Sequence, residues 1–230
     1  MEEKVSCIIP AYNEGKRVSK VIGIAKNHPL IDELIVINDG SSDDTKEVIK
    51  KFKGIKIISY QKNRGKSFAV MKGLEKARHS LIILLDADLG GLTVKNISDL
   101  ILPVKNKVVD VTISLRKNSP LLWRLIKMDS LSGERVFSKE LINKELLAGK
   151  DSFEVETIIN KQILKNKLKV GVVPWMNVRS PWKYEKMGSI VKGVKKDIIM
   201  TNQVINAAGG IIKFTRQIYT LIMRRKVIRN

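Results

Sequence analysis

The first 115 residues alternate between short apolar runs and helical stretches, and this alternation constrains the fold more than any other feature of the chain. Nearly continuous runs rich in β-branched residues occupy residues 5–9, 34–37, 55–59, 81–85 and 108–114. Runs without a period of two indicate strands that are buried on both faces. Apolar residues at helical spacing separate the first four runs. The order predicts an α/β fold, in which a mostly parallel twisted sheet with right-handed crossovers is flanked by helices.

The second half of the chain is less regular. Strands are predicted at 134–137 and 170–173, and helices at 138–147 and 154–167. Residues 116–133 have no clear period and predict a mobile loop over a site. We therefore expect one domain at residues 1–185 and a basic, amphipathic, helical C-terminal tail at 186–230.

The net charge of +20 is unevenly distributed. From residue 183 to residue 230 there are eleven Lys and Arg against Glu185 and Asp197. Charge of this sign attracts polyanions such as anionic lipid, nucleic acid or phosphorylated small molecules. The predicted late helix at 198–223 also has a broad apolar face. Packing onto the domain and peripheral contact with an anionic membrane are both open interpretations of that face.

The cellular compartment is predicted from the lengths of the apolar runs, the N-terminal residues and the single cysteine. No apolar run reaches the roughly 18–20 residues that a bilayer requires, and residues 1–10 do not have the pattern of a secretory signal. The single cysteine, Cys7, lies in the first apolar run and is expected to be a buried thiol. We expect a cytoplasmic protein, with the inner membrane face as the site of any peripheral contact.

Polar residues follow each of the first four predicted strands. The segments are Pro-Ala-Tyr-Asn-Glu at 10–14, Asn-Asp-Gly-Ser-Ser-Asp-Asp-Thr at 38–45, Asn-Arg-Gly-Lys at 63–66 and Asp-Ala-Asp at 86–88. Ligands of open α/β sheets bind beyond the carboxyl ends of the strands. At that edge Asp39 can accept a hydrogen bond from a base or a ribose, and Arg64 and Lys66 suit a base or a diphosphate. Helix capping by the serines is the structural alternative.

The pair Asp86 and Asp88 is the sharpest of these signals. Two carboxylates two residues apart, after a wholly apolar strand, would repel each other if the site between them were empty. A divalent cation with a preference for oxygen removes that repulsion and can bridge to a diphosphate. The pair therefore predicts a Mg²⁺ or Mn²⁺ site.

Four segments together resemble the successive motifs of the family 2 glycosyltransferases, which have the GT-A fold. They are VSCIIPAYNEGKRV, ELIVINDGSSDDT, NRGKSFAVMKGLEKA and IILLDADLGGLT. LSGERVFSKELI, with the later FEVET and VGVVPW, is similar to the acceptor-side segment of glucosyl-3-phosphoglycerate-synthase-like enzymes and polyprenyl-phosphate sugar transferases. The resemblance implies a donor half at 1–115 and an acceptor half at 116–185.

The resemblance also implies roles for individual positions. The residues expected to bind the nucleotide-sugar are Pro10, Tyr12, Glu14, Asp39, Arg64, Lys66, Asp86 and Ala87. Asp88 is implied as the principal metal ligand, with Asp86 at the ribose or the metal. The residues expected to bind the acceptor are Ser132, Gly133 and Arg135. The planar fork of Arg135 suits a phosphate or a carboxylate.

The chain departs from the family pattern at three places. Asn38 replaces the first aspartate of the usual Asp-Asp-Gly-Ser, and His28 and His79 both fall too early to supply the late histidine ligand that some relatives use. The Glu-Asp pair that carries the catalytic base in many members is also missing. Asp129, Glu154 and Glu156 are the remaining candidates, and Glu156 is the base we carry forward beside Asp88 and Arg135 as catalytic residues.

These residues predict a metal-dependent enzyme that moves a hexose from a UDP- or GDP-sugar to an anionic acceptor. An acceptor that is already an anion needs no base. A small phosphorylated or carboxylated molecule is preferred, and a polyprenyl phosphate at the membrane surface is the alternative. A sugar nucleotidyltransferase would need a glycine-rich loop after the first strand, which residues 10–18 do not supply. A catalytically dead nucleotide-binding or nucleic-acid-binding protein is the alternative from another class, although we expect no nucleic acid partner.

Overall fold

The computed structural model describes residues 3–142, 146, 154–182, 185, 191, 199, 202–203, 205–206 and 208–228. Its strands are β1 Val5–Ala11, β2 Glu33–Asp39, β3 Lys56–Tyr60, β4 Leu81–Leu84, β5 Val111–Arg116, β6 Arg135–Ser138, β7 Val170–Trp175 and β8 Arg225–Val227. Its helices are α1 Gly15–Lys26, α2 Thr45–Lys50, α3 Lys66–Lys76, α4 Val94–Lys105, α5 Leu121–Leu125, α6 Glu154–Lys165 and α7 Ile211–Arg224, with a short 3₁₀ turn at Lys139–Leu141.

All eight strands belong to one sheet with the order β3-β2-β1-β4-β6-β5-β7-β8. β6 is antiparallel to both of its neighbours, β4 and β5. The other paired strands are parallel. The sheet therefore confirms the predicted mostly parallel architecture, and it brings the carboxyl ends of the parallel strands to one edge.

The inner strands are largely buried because helices cover the sheet from both sides, whereas the edge strand β3 is only partly buried, unlike the two-face burial predicted for residues 55–59. Every residue of β2 and β4 is buried. One apolar cluster lies under α1 and α4, and the other lies under α3, α6 and α7. Cys7 belongs to the first cluster as a free, buried thiol, as predicted, and burial raises its pKa well above the ordinary value.

Two helices of the structure were not predicted. α4 contains Pro103 near its C-terminal end, a residue that argues against a helix when only the local pattern is considered. In the structure, a capping box formed by Thr93 and Asn96 starts this helix, and Pro103 lies in its last turn. α5 falls inside residues 116–133, which were expected to form a loop. It is only five residues long, so periodicity could not reveal it.

The C-terminal segment differs from the expected single long helix and separate tail. Gly209 and Gly210 have φ values of 91° and 101°, which end the helical path before α7 begins. After α7 the chain forms β8, which pairs with β7 and so joins the sheet. Most of residues 183–207 and much of the predicted helix at 138–147 lie outside the described residues. Among the described residues, no helix has the length and apolar character to cross a membrane.

Candidate active site

The loops after β1, β2 and β3 are joined by hydrogen bonds at the carboxyl edge of the sheet. The backbone N–H of Asn13 donates to Ser41 Oγ at 3.0 Å, and Asn13 Oδ1 accepts from the Ser42 N–H at 2.9 Å. The Glu14 N–H donates to Thr45 Oγ1 at 2.8 Å. These bonds confirm that the polar segments at 10–14 and 38–45 meet, as the order of the strands predicted.

Asp39 is buried, and its carboxylate is engaged by the loop at 63–65. It accepts from the backbone N–H groups of Arg64 and Gly65 and from Asn63 Nδ2, with the shortest distance, 2.8 Å, to Gly65. Burial raises its pKa, and the two backbone donors partly offset that effect. Gly65, with φ 91°, gives the loop the turn that directs these donors inward. Asp39 therefore positions the loop at 63–65, a role that its predicted contact with a base did not include.

The remaining donor-side residues vary in exposure. Tyr12 is 45% exposed and its ring is accessible to a ligand, whereas Ala87 is buried. Arg64 lies over the ring of Phe68, with its guanidinium carbon 4.0 Å from the ring centroid. Glu14 is buried and pairs with Arg17 at 3.0 Å. Pro10 is part of β1 and pairs with Ile37, so it shapes the edge through its backbone.

Lys66, in the first turn of α3, lies between two carboxylates from distant elements. Its ammonium is 2.6 Å from Asp86 Oδ1 and 2.7 Å from Glu156 Oε1. Burial alone would lower the pKa of Lys66, but the two carboxylates outweigh burial and raise it. Burial opposes ionisation of Asp86 as well, and Lys66 and Arg116 together hold its pKa below the ordinary value. Glu156 is thus an ion-pair partner of Lys66, and its role as a general base stays a prediction.

Gly133 brings the loop before β6 against this cluster. A Cβ built on Gly133 would lie 2.4 Å from Lys66 Nζ and 2.5 Å from Asp86 Oδ1. At such distances a side chain at this position would displace the Lys66 ammonium or the Asp86 carboxylate. The structure therefore places the predicted acceptor-side glycine in direct contact with the Lys66–Asp86 ion pair.

Ser132 and Arg135 are both fully buried behind Gly133. Arg135 donates through its guanidinium to the carbonyls of Ser130, Ser132 and Glu156 and to Asn160 Oδ1. These acceptors surround the fork from within the protein. The geometry does not support the predicted direct contact between Arg135 and an acceptor, because burial and internal hydrogen bonds direct the guanidinium toward the loop at 130–134. Arg135 is a positioning residue in this structure.

Arg116 and Glu134 complete the site, and sequence reasoning missed both. Arg116 Nη1 is 3.1 Å from the buried Glu134 Oε1 and 3.9 Å from Asp86 Oδ2. Burial raises the pKa of Glu134, although Arg116 lies beside it. Arg116 is the last residue of β5, so the strand-end rule that selected the earlier residues would have found it. Glu134 gave no signal, because nothing local marks a buried carboxylate next to a glycine.

Asp88 is buried at the same edge and faces the segment after β7. Its Oδ2 accepts from Ser180 Oγ at 2.7 Å. Ser180 is held in turn by Asn118, whose Nδ2 donates to the Ser180 carbonyl at 2.6 Å. The structure also pairs Gly90 with Arg179 by two backbone hydrogen bonds of 2.8 Å and 2.9 Å. A segment nearly a hundred residues away in sequence therefore closes over the Asp-Ala-Asp turn.

The donor set at Asp88 fits a hard divalent cation that has substrate oxygens as further ligands. Among the described residues, no group of three or more His, Cys, Asp and Glu side chains is arranged to hold a metal ion. Mg²⁺ in proteins is commonly bound by one or two carboxylates together with substrate phosphates and water. Asp88 suits that arrangement, while Asp86 already has Lys66 as a partner.

Comparisons with known proteins identify the family. A model described as glycosyl transferase family 2 matches residues 6–166, well over half of the chain. This chain belongs to glycosyl transferase family 2. The match includes the carboxyl ends of β1 to β5 described above.

One curated protein and one solved structure are similar to this chain over most of its length. UDP-N-acetylglucosamine–dolichyl-phosphate N-acetylglucosaminyltransferase from Methanococcus voltae is 26% identical over 238 residues, covering 84% of this chain and 93% of the relative. Glucosyl-3-phosphoglycerate synthase from Mycobacterium tuberculosis, solved with Mn²⁺, UDP and glucosyl-3-phosphoglycerate, has a TM-score of 0.71 at 20% identity. That comparison covers 91% of this chain and 81% of the synthase, and it confirms that the family 2 fold predicted from the sequence is present.

Proposed function

We propose that this family 2 glycosyltransferase moves a sugar from a UDP- or GDP-sugar to an acceptor that bears a phosphate or a carboxylate. The observation that carries the proposal is the convergence of Asp39, Lys66, Asp86 and Asp88 at one edge of the sheet. The relative from Methanococcus voltae is named for a dolichyl-phosphate acceptor, and the synthase was solved with phosphoglyceric acid. Both molecules carry anionic oxygens.

The donor would lie across the loops that follow β1 to β4. Tyr12 offers an accessible ring beside the loop at 63–65 that Asp39 holds in place. A divalent cation held by Asp88 would neutralise the charge that develops on the departing nucleoside diphosphate. Lys66 supplies a further fixed positive charge at the same place.

The contacts of Glu156 and Asp129 inside the protein favour an acceptor that is already an anion. Glu156 is paired with Lys66, and Asp129 accepts from Ser119 Oγ at 2.7 Å and lies 3.9 Å from Arg116. A phosphate or carboxylate oxygen can attack the anomeric carbon without losing a proton, so neither residue is needed as a base. The new bond forms from that oxygen to the anomeric carbon as the bond to the diphosphate breaks.

A thermal-shift panel tests the donor assignment. UDP, GDP and their sugar conjugates are each compared with and without Mn²⁺, because a ligand that binds the folded state raises the midpoint of unfolding by mass action. We expect a rise that requires Mn²⁺ and is specific to one base. No shift with any nucleotide would contradict the proposed donor site.

Asp88→Asn tests the proposed cation role. The substitution keeps the size of the side chain and removes the negative charge, so we expect transfer to fall by about 100-fold or more. The Mn²⁺-dependent shift should be lost, while the circular dichroism spectrum is unchanged. Asp99→Asn is the matched control, since Asp99 pairs with Lys95 within α4 and contacts none of the site residues described above. Full transfer by Asp88→Asn would rule out the assignment.

A further inference from the structure

α5 is a mostly apolar helix, and none of its residues is buried. Leu121, Leu122 and Leu125 are 65%, 61% and 70% exposed. A helix this short is not stable in water by itself, and a contiguous exposed apolar patch marks a surface that meets a partner or a membrane. We call these three leucines and their flanking basic residues the α5 surface.

The α5 surface lies at the mouth of the site, because both ends of the segment that carries it are fixed there. Arg116, before α5, contacts Glu134 and Asp86. Asp129, after α5, lies 3.9 Å from Arg116. The Lys117 N–H donates to the carbonyls of Trp175 and Val178, so the segment that carries the exposed Met176 lies beside the start of the α5 segment.

The charge of residues 116–128 indicates which kind of partner the α5 surface binds. Residues 116–128 include four basic residues and no acidic residue. Three of the basic residues, Lys117, Arg124 and Lys127, are exposed beside the leucines. Apolar side chains surrounded by Lys and Arg are the pattern that binds the interface of an anionic bilayer. A second copy of this chain would bring another net charge of +20 to the contact, so like-charge repulsion opposes self-association.

We propose that the α5 surface docks this protein on an anionic lipid bilayer, with the leucines in the interface and the site opening toward the membrane. This inference goes beyond the proposed function, because it assigns a membrane contact to residues outside the donor site. It also differs from docking through the C-terminal tail, since α5 precedes β6. A bilayer at this edge would present a lipid-linked phosphate to the Lys66–Asp86–Gly133 cluster.

Vesicle binding tests the proposal without donor or acceptor, so its failure is distinguishable from a failure of the proposed transfer. The full chain is floated with vesicles of phosphatidylcholine containing 30 mol% phosphatidylglycerol and with pure phosphatidylcholine. We expect binding only to the anionic vesicles and a loss of at least 10-fold in affinity for the triple variant Leu121→Gln, Leu122→Gln, Leu125→Gln. Lys117→Gln, Arg124→Gln, Lys127→Gln should also weaken binding and reduce its dependence on salt.

Two matched triples make the result specific. Val94→Gln, Leu102→Gln, Val108→Gln removes three exposed apolar residues, 46%, 39% and 45% exposed, in and after α4, and should bind as the wild type does. Ile212→Gln, Tyr219→Gln, Met223→Gln removes the exposed stripe of α7, and it should retain binding. Loss in the α7 triple alone, or no binding by the wild type, would overturn the proposal. A dimer of the wild type that the leucine triple dissolves would overturn it too, by assigning the surface to self-association.

Discussion

Gly133 shows how a single missing side chain shapes the site. Its backbone lies against the Lys66–Asp86 ion pair, where a Cβ would come within 2.5 Å of both partners. Arg135, two residues later, anchors the same loop by donating to the carbonyls of Ser130 and Ser132. The buried Arg135 guanidinium therefore holds the loop on one side, and the Lys66–Asp86 ion pair contacts it on the other.

Gly133→Ala should lower transfer without unfolding the protein. The methyl group must displace the end of Lys66 or the carboxylate of Asp86, and we expect a fall of about 10-fold to 100-fold in kcat, since misplacement by about 1 Å can cost that much. Gly23→Ala is the control, because its Cβ meets nothing within 4 Å. That change in α1 should stabilise the protein by roughly 0.5–1 kcal/mol. Equal kcat values for the two variants would contradict the role given to Gly133.

Among the elements, α7 and β8 belong to the folded core although their sequence is strongly basic and amphipathic. Leu221 of α7 is fully buried in the cluster that includes α3 and α6. Gln217 donates to the Thr157 carbonyl of α6 at 3.4 Å. β8 adds an eighth strand to the sheet. One side of α7 therefore packs onto the domain, which is the first of the two interpretations of its apolar face.

Leu221→Ala measures how much α7 contributes to stability. Removal of a fully buried leucine leaves a cavity, and we expect the free energy of unfolding to fall by about 2–5 kcal/mol. Ile212→Ala on the same helix is the comparison, because Ile212 is 80% exposed and should change the free energy by less than about 0.5 kcal/mol. Urea denaturation measures both variants. Equal, small effects would mean that α7 is not part of the cooperative unit.

At the scale of the whole molecule, the amino edge of the sheet is held together by one buried carboxylate. Glu33 of β2 accepts from Ser6 Oγ of β1 at 2.6 Å, from Lys56 Nζ of β3 at 2.9 Å and from the Arg78 N–H before β4 at 2.8 Å. Burial alone would raise the pKa of Glu33, but these donors outweigh it and lower the pKa from 4.5 to about 2. Four neighbouring segments therefore share one anion.

This lowered pKa predicts a specific dependence of stability on pH. Because the folded pKa lies below the unfolded one, the stabilisation by Glu33 is complete above about pH 4.5 and is lost as the pH falls toward about 2. Glu33→Gln should lower the free energy of unfolding by about 2 kcal/mol at pH 7 and flatten its decline below pH 4.5. Urea denaturation at pH 7, 4.5 and 3 checks this, and parallel pH profiles for wild type and variant would refute it.

The sequence by itself determined the seven strands from β1 to β7 and the edge at which the site lies. Both follow from local physics, since unbroken apolar runs can only be satisfied by burial on two faces, and the carboxyl ends of parallel strands share an edge. The segments at 10–14, 38–45, 63–66 and 86–88 could therefore be assigned to one place. The polar residues of these segments and the Asp-x-Asp spacing are visible without coordinates.

The tertiary structure alone decided which of these side chains meet and which have partners inside the protein. The pairs Lys66 with Glu156 and Asp88 with Ser180 join residues about ninety positions apart. Such contacts depend on how α6 and the segment after β7 pack on the sheet, and no local period encodes them. For the same reason Arg135 turned inward, Arg116 entered the site, β8 completed the sheet and α5 was left exposed. A short segment has no preference strong enough to fix its own burial, so its place is set by the long-range packing around it.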